Sequence, residues 1–419
     1  MKKIWFCFVT KNNKSTASQL IESIENQILK FKSAKINLLV LDKTETSTPL
    51  SIKRELFQKI IYYNLEELNT LEKKYNFVYL DVNYDLEKDS IQRARLQLYI
   101  ASLEYKHEFQ NAIIWQLDDD MLLGETVSSS NGLEFKFDRN YCQIIRDYNK
   151  LHPQIDAAVG FCSFVPPLPQ FLYLRKQLEE FLSKKEIINF GFQHENWGYH
   201  DLYNTKKKHY KYYKVRNNSA ELLLDDIFKG KPSHPILTLK ETPLSKKTKV
   251  NLLRGGNFIV FNSELLTTIP HIAFSFQNFI SRRSDMLHSW MLTQQGFNVS
   301  SIDLSLIHNR NFKEISFPKM VKAYFEDLLG AIAIRYIIQS PEKALERFQQ
   351  HKVHLLNLQQ LSVKLTQHYK NQDLQDFKII LEKALSKLDS FSWKELESEI
   401  KILKTKVFSY LPLKVTKDD

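Results

Sequence analysis

The stretch that most constrains the fold is Asn111 to Leu123, NAIIWQLDDDMLL. Ala112 to Gln116 is a mostly apolar run, the pattern of a strand covered on both faces, and Leu117 carries it straight into three carboxylates. A strand of that kind needs covering layers above and below it, which argues for an α/β fold. Three like charges beside a core suffer desolvation and mutual repulsion unless a counter-charge is present, and a divalent cation is the simplest one. Strand ends at the edge of an α/β sheet are also where such folds hold ligands. Asp118, Asp119 and Asp120 are therefore the candidate centre.

The chain before this stretch alternates strand and helix. Lys3–Thr10 reads as a strand, followed by a helix to about Lys32 with Ser15 or Thr16 as its cap. Ile36–Leu41 is a second strand, helical sequence fills about Lys53–Lys73, Phe77–Val82 is a third strand, and Ser90–Tyr105 is an amphipathic helix. That alternation predicts a mostly parallel, Rossmann-like sheet flanked by helices. After the acidic triplet, Val127–Gly132 reads as a Ser-rich loop, Arg139–Lys150 as helix and Ile155–Phe164 as a strand stopped by Pro166, Pro167 and Pro169. About 165–253 reads as an insertion, partly mobile. The alternation resumes with Asn257–Phe261 (strand), Ser263–Thr268 and Asp285–Gln295 (helices) and Val299–Ile307 (strand). Beyond Pro318 the spacing is helical, with breaks expected at Pro341 and Asp389. The expected organisation is an α/β domain over 1–312 and a helical C-terminal region over 313–419.

With 419 residues and 43% hydrophobic content the chain can bury a large core. Its formal charge of +11 favours anionic partners, but both signs are spread along the sequence, so no nucleic acid is expected as a partner. Cys7, Cys142 and Cys162 show no pairing or zinc spacing and read as thiols in a reducing, cytoplasmic setting. The apolar run after Lys2 and Lys3 is too short for a signal peptide, and no run is long enough to span a bilayer. Contact with the inner face of a membrane would be peripheral.

Hard carboxylate oxygens suit Mg²⁺ or Mn²⁺. On a continued strand Asp118 and Asp120 share a face and can share an ion, leaving Asp119 for a sugar or ribose hydroxyl. Asp285 opens a helix directly after Arg282 and Arg283, which can keep it ionised or reach phosphate. The plainer account of Asp285 is a carboxylate answering the helix dipole. Gly255 and Gly256 stand out in a chain with ten glycines and suit a close backbone approach or a bulge. Arg93 and Arg95 read as surface or interhelix ion pairs, His194, Glu195 and His200 as part of an aromatic packing loop, and KKKHYKYYK as a solvated loop. Leu355, Leu358 and Leu361 read as core.

The order of SIQRARLQL, LDDD, RGGNFIVFN, RRSDMLHSWMLTQQGF and DLSLIHNR resembles the GT-A nucleotide-sugar glycosyltransferases, most of all the family 2 members, over about residues 3–310. The resemblance implies a GT-A fold. It implies an Asp-x-Asp metal and diphosphate site at Asp118 and Asp120, a donor- and acceptor-bordering strand at Gly255, Gly256 and Asn257, and a base at Asp285. His308 falls beside the metal or diphosphate, and Thr10 and Asp42 fall at the nucleotide. The expected reaction is metal-dependent, inverting transfer of a sugar from a nucleotide-diphosphate donor to a glycan, lipid-linked or protein acceptor. Two rivals keep the same residues in view. In a haloacid-dehalogenase-type phosphohydrolase Asp118 is the nucleophile and Asp120 the acid/base. In a non-catalytic protein on the same scaffold, the insertion or the C-terminal helices bind a glycan or partner. Those helices are also the expected face for any oligomer.

Overall fold

The computed structural model describes residues 1–11, 13–45, 49–75, 91–129, 132–165, 178, 210–213, 224, 227–228, 236–239, 256–269, 271–272, 274–277, 279–310 and 316–411. Strand β1 (Ile4–Thr10) is followed by helix α1 (Lys14–Phe31), strands β2 (Ile36–Asp42) and β3 (Lys59–Tyr63), and helices α2 (Leu65–Tyr75), α3 (Ile91–Glu104) and α4 (Lys106–Phe109). Then come β4 (Ile113–Asp118), β5 (Met121–Leu122), β6 (Glu125–Ser129), β7 (Gly132–Lys136), α5 (Tyr141–Leu151) and β8 (Ala157–Phe164). Two strands, β9 (Tyr210–Tyr213) and β10 (Ile236–Leu239), precede β11 (Asn257–Val260), α6 (Leu265–Thr268), β12 (Ser275–Phe276), β13 (Phe279–Ile280), α7 (Ser284–Gln294) and β14 (Val299–His308). The chain closes with α8 (Phe317–Ile338), α9 (Pro341–His368), α10 (Gln372–Asp389) and α11 (Trp393–Ser409).

Among the described residues the main sheet has twelve strands, running β3-β2-β1-β4-β11-β8-β10-β6-β7, with β14 joined to β8 and β5, and β9 to β10. The α/β class expected from the sequence is present, but the sheet is mixed rather than mostly parallel. Strands β3, β2, β1 and β4 are parallel neighbours. Strand β11 then runs antiparallel between β4 and β8. Strand direction depends on how the chain reaches each strand, which apolar runs do not encode.

Strands β1, β2 and β4 are almost wholly buried because helices cover both faces. Helix α1 presents Ala17, Leu20, Ile21, Ile24 and Ile28 to one face at three- and four-residue spacing. It begins at Lys14, so neither Ser15 nor Thr16 is its cap; the Thr16 hydroxyl instead donates to the Asn13 carbonyl. On the opposite face one apolar cluster runs from Leu39 and Ile114 through Leu328 to Leu361 and Leu403, so the C-terminal helices share a core with the sheet. Their ends are set locally. Ser340, Asn371 and Ser392 each accept a hydrogen bond from the amide three residues on, worth about 1 kcal/mol apiece. Leu355, Leu358 and Leu361 are buried, as expected.

Three expectations change. Residues 59–63, within the span read as helical, form strand β3, and the Ser-rich stretch at 127–132 belongs to the β6–β7 hairpin. Tyr210–Tyr213, from the basic run, pairs antiparallel with β10 instead of forming a solvated loop. The expected strand at 77–82 lies outside the described residues, as do Gly255, His194, Glu195 and His200. All three cysteines are unpaired. Among the described residues no helix is long and apolar enough to cross a membrane.

Candidate active site

Register brings the sequence motifs to one sheet edge. Thr10 lies level with Asp42 across β1 and β2, and Val9 level with Asp118 across β1 and β4. Because these strands are parallel, their carboxyl ends open on the same side. The crevice lies where the order turns from β2 and β3 on one flank to β4 on the other, a topological switch point. Strand β11 enters antiparallel, so Asn257 pairs with Leu117 and Gly256 arrives opposite Asp118. Strand β14 leaves at the same edge, with His308 paired to Met121 of β5.

The strand ends at Asp118, and the turn after it sends the three carboxylates to different partners. Asp119 Oδ2 accepts from the Thr10 hydroxyl at 2.7 Å. Asp120 Oδ2 lies 3.2 Å from His308 Nε2, while the Asp120 carbonyl accepts from the Asn309 amide at 2.7 Å. Asp118 Oδ1 lies 3.9 Å from the Arg95 guanidinium, whose other nitrogen is 3.4 Å from Asp285 Oδ2. The distant motifs at 285 and 308 thus meet the acidic triplet.

Titration follows this geometry. Burial pushes Asp118 up, opposed by Arg95 and reinforced by Asp120 and Asp285. Burial and the Asp120 charge push Asp119 up to about 7, against the Thr10 hydrogen bond. For Asp120 burial acts upward, but the charge and hydrogen bond of His308, together with Arg310, outweigh it and leave its pKa lowered. Burial acts against the His308 imidazolium, yet Asp120 holds its pKa above the ordinary value. His308 Nδ1 faces the Val165 carbonyl at 2.7 Å, so it donates there, and the imidazolium form donates to acceptors on both sides.

A divalent cation fits this corner. Among the described residues no group hydrogen-bonds the buried Asp120 Oδ1, a costly state for a carboxylate oxygen and one that a cation would relieve. The Val165 carbonyl fixes the His308 proton on Nδ1, which in the neutral ring turns the Nε2 lone pair toward Asp120. Among the described residues no three His, Cys, Asp or Glu side chains are already gathered as a ligand group. One or two such carboxylates could hold Mg²⁺ or Mn²⁺, with water and phosphate oxygens completing the shell.

The remaining expected residues divide. Gly256 is at the site, where a Cβ would stand 2.1 Å from Asp118 Oδ2 and oblige that carboxylate to move. Thr10 and Asp42 lie at the edge but carry protein partners. Asp42 accepts from the Thr44 amide and the Tyr62 hydroxyl, which fixes its orientation. Asn257, expected to border the ligand, is instead fully buried. It accepts from the Trp115 indole at 2.8 Å and donates to the Phe161 and Leu304 carbonyls, tying β4, β8 and β14 together. Arg283, expected to reach phosphate or support Asp285, is committed to Asp327 of α8.

Arg95 makes ion pairs as expected, one of them interhelix, to Asp285 of α7, and the other carries it to Asp118 of the acidic triplet, a place the sequence reading did not mark. Arg93 does make an interhelix pair, with Glu72 of α2. Two residues on a helix separated by two positions point about 200° apart, so Arg95 cannot share that surface and turns inward. That spacing was the available signal. A scan of protein-family models matches none with this sequence, and a search of curated proteins finds no match.

Proposed function

We propose that this chain is a metal-dependent glycosyltransferase of GT-A type, using a nucleotide-diphosphate sugar and inverting the anomeric centre. The observation that carries the reading is the meeting of Asp118 and Asp120 with His308, and through Arg95 with Asp285, at the carboxyl ends of β1, β2 and β4.

Asp118 and Asp120 would hold the cation, with His308 orienting Asp120 from the side. The cation supplies positive charge where the departing diphosphate gains negative charge. Thr10 and Asp119 lock the turn that aims the two outer carboxylates. Asp285 takes the proton from the acceptor hydroxyl as that oxygen bonds to the anomeric carbon and the bond from that carbon to the diphosphate breaks. Its Oδ1 accepts from the Met286 amide and its Oδ2 faces Arg95, so the carboxylate is oriented before an acceptor arrives.

The test is calorimetry against a panel of nucleotide sugars with and without Mn²⁺, followed by donor hydrolysis or transfer with the nucleotide bound best. Metal-dependent binding that is lost in Asp120→Ala is expected. Unchanged turnover in Asp120→Ala rejects the metal role. Phosphate release from simple monoesters that disappears in Asp118→Asn selects the phosphohydrolase instead, and no nucleotide binding at all favours a non-catalytic scaffold.

A further inference from the structure

Arg95 stands between two acidic groups that have different tasks in the proposed reaction. Its guanidinium is 3.9 Å from Asp118 and 3.4 Å from Asp285, and its side chain is only 17% exposed. The Asp118 side chain is 39% exposed and reachable from the crevice, whereas Asp285 is 8% exposed. The two contacts are unequal, the one to Asp118 being longer and wetter.

We propose that Arg95 is a positioning residue acting as an internal counter-cation: it competes with the divalent ion for Asp118 and, once displaced, braces Asp285. This rests on the metal-dependent reading above. The physical argument is charge balance. Asp118, partly exposed, and Asp285, buried, lie on either side of the guanidinium, which neutralises part of their mutual repulsion. A divalent ion arriving at Asp118 repels the guanidinium from a few ångströms away. Asp285 is the nearer alternative partner, so the weaker contact is given up and the stronger one is kept. Binding at the acidic triplet thereby acts on Asp285, the carboxylate proposed to face the acceptor.

The described neighbours His288, His271 and Arg283 do not take the place of Arg95. His288 lies one turn along α7 from Asp285 and stacks on His271 at 4.1 Å between ring centroids. Burial, with Arg95 adding to it, brings His288 down to about 4 and His271 well below its usual value, so both rings are neutral near pH 7. Arg283, two residues before Asp285, is held by Asp327.

The experiment measures binding of Mn²⁺ alone to the full chain, by electron paramagnetic resonance of the free ion. Arg95→Met is expected to bind Mn²⁺ about tenfold more tightly than the parent, the size that loss of one nearby like charge gives at a partly hydrated site. Arg95→Lys, which keeps the charge, is expected to bind as the parent does. A merely structural arginine predicts unchanged or weaker binding in Arg95→Met, and that result overturns the proposal. If Arg95→Met melts early, Arg95→Gln carries the same comparison, being neutral yet able to donate to both carboxylates. Asp120→Ala separates the two levels of the argument. Mn²⁺ binding that survives in Asp120→Ala removes the metal reading and this inference with it. Binding that vanishes in Asp120→Ala but does not tighten in the neutral Arg95 variants removes only the role of Arg95.

Discussion

Asp327→Ala offers the sharpest check on how the C-terminal helices support the site. Arg283 and Asp327 are 1% and 0% exposed, and they pair through two contacts of 3.0 and 3.2 Å, the fork geometry in which arginine holds a carboxylate best. Removing one partner takes from the other the counter-charge of this core pair, which costs about 3–5 kcal/mol. A domain has about 5–15 kcal/mol in total, so a third or more of the stability is at stake. The double variant Arg283→Met, Asp327→Leu removes both charges and is expected to return to within about 1–2 kcal/mol of the parent, because apolar replacements of a buried pair are often neutral. Urea unfolding followed by tryptophan fluorescence gives the four corners of the cycle. A loss below about 1 kcal/mol in Asp327→Ala, or a double variant as unstable as the two single losses combined, refutes the reasoning.

Gly256→Ala puts a methyl where the Asp118 carboxylate now sits, so the carboxylate must swing away. Mn²⁺ binding is expected to weaken by about tenfold with little change in melting temperature, and unchanged affinity would show that Asp118 is not a ligand. His288 makes acid stability depend on a buried neutral ring. Its folded pKa of about 4 lies below the ordinary 6.5, so the unfolded chain takes a proton that the folded site refuses. The stability it contributes is complete above about pH 6.5, falls as the pH drops toward 4, and totals about 3 kcal/mol. His288→Gln is expected to flatten that part of the stability curve measured by urea unfolding, and an unchanged slope would remove His288 as the cause.

Much of the framework was legible because burial on both faces leaves an unbroken apolar run. IWFCFVT, INLLVLD and IIWQLD are such runs, and each is a central strand. KIIYY was hidden for the opposite reason. It is an edge strand of five residues, only one of them fully buried, set in a span with helical spacing. The β6 strand ETVSS and the β7 strand GLEFK were obscured by serines and a glycine, whose ladder is held by backbone pairing that side-chain propensity does not report. At the site, the order of the motifs anticipated that Asp120 and His308 would meet, although 188 positions separate them. The same order said nothing about whom the arginines would choose. Arg283 found Asp327 and Arg95 found Asp118 and Asp285 because of how helices α3, α7 and α8 dock, and docking is a property of packed faces rather than of spacing.

The place of β11 has a further consequence for how the molecule is made. Its four residues fill the slot between β4 and β8, yet they come about 140 positions after the residues they pair with in β4. During synthesis, β1, β2, β3 and β4 can assemble from nearby sequence, but the free side of β4 then has no neighbour. Until residue 260 has emerged, Ile113–Asp118 is an open, apolar edge with the Trp115 indole lacking its Asn257 acceptor, the kind of edge that recruits strands from other chains. Closing the sheet over so large a separation in sequence is slow. The nascent protein therefore passes through its most aggregation-prone stage with its acidic triplet already translated and the partners Asp285 and His308 still to come.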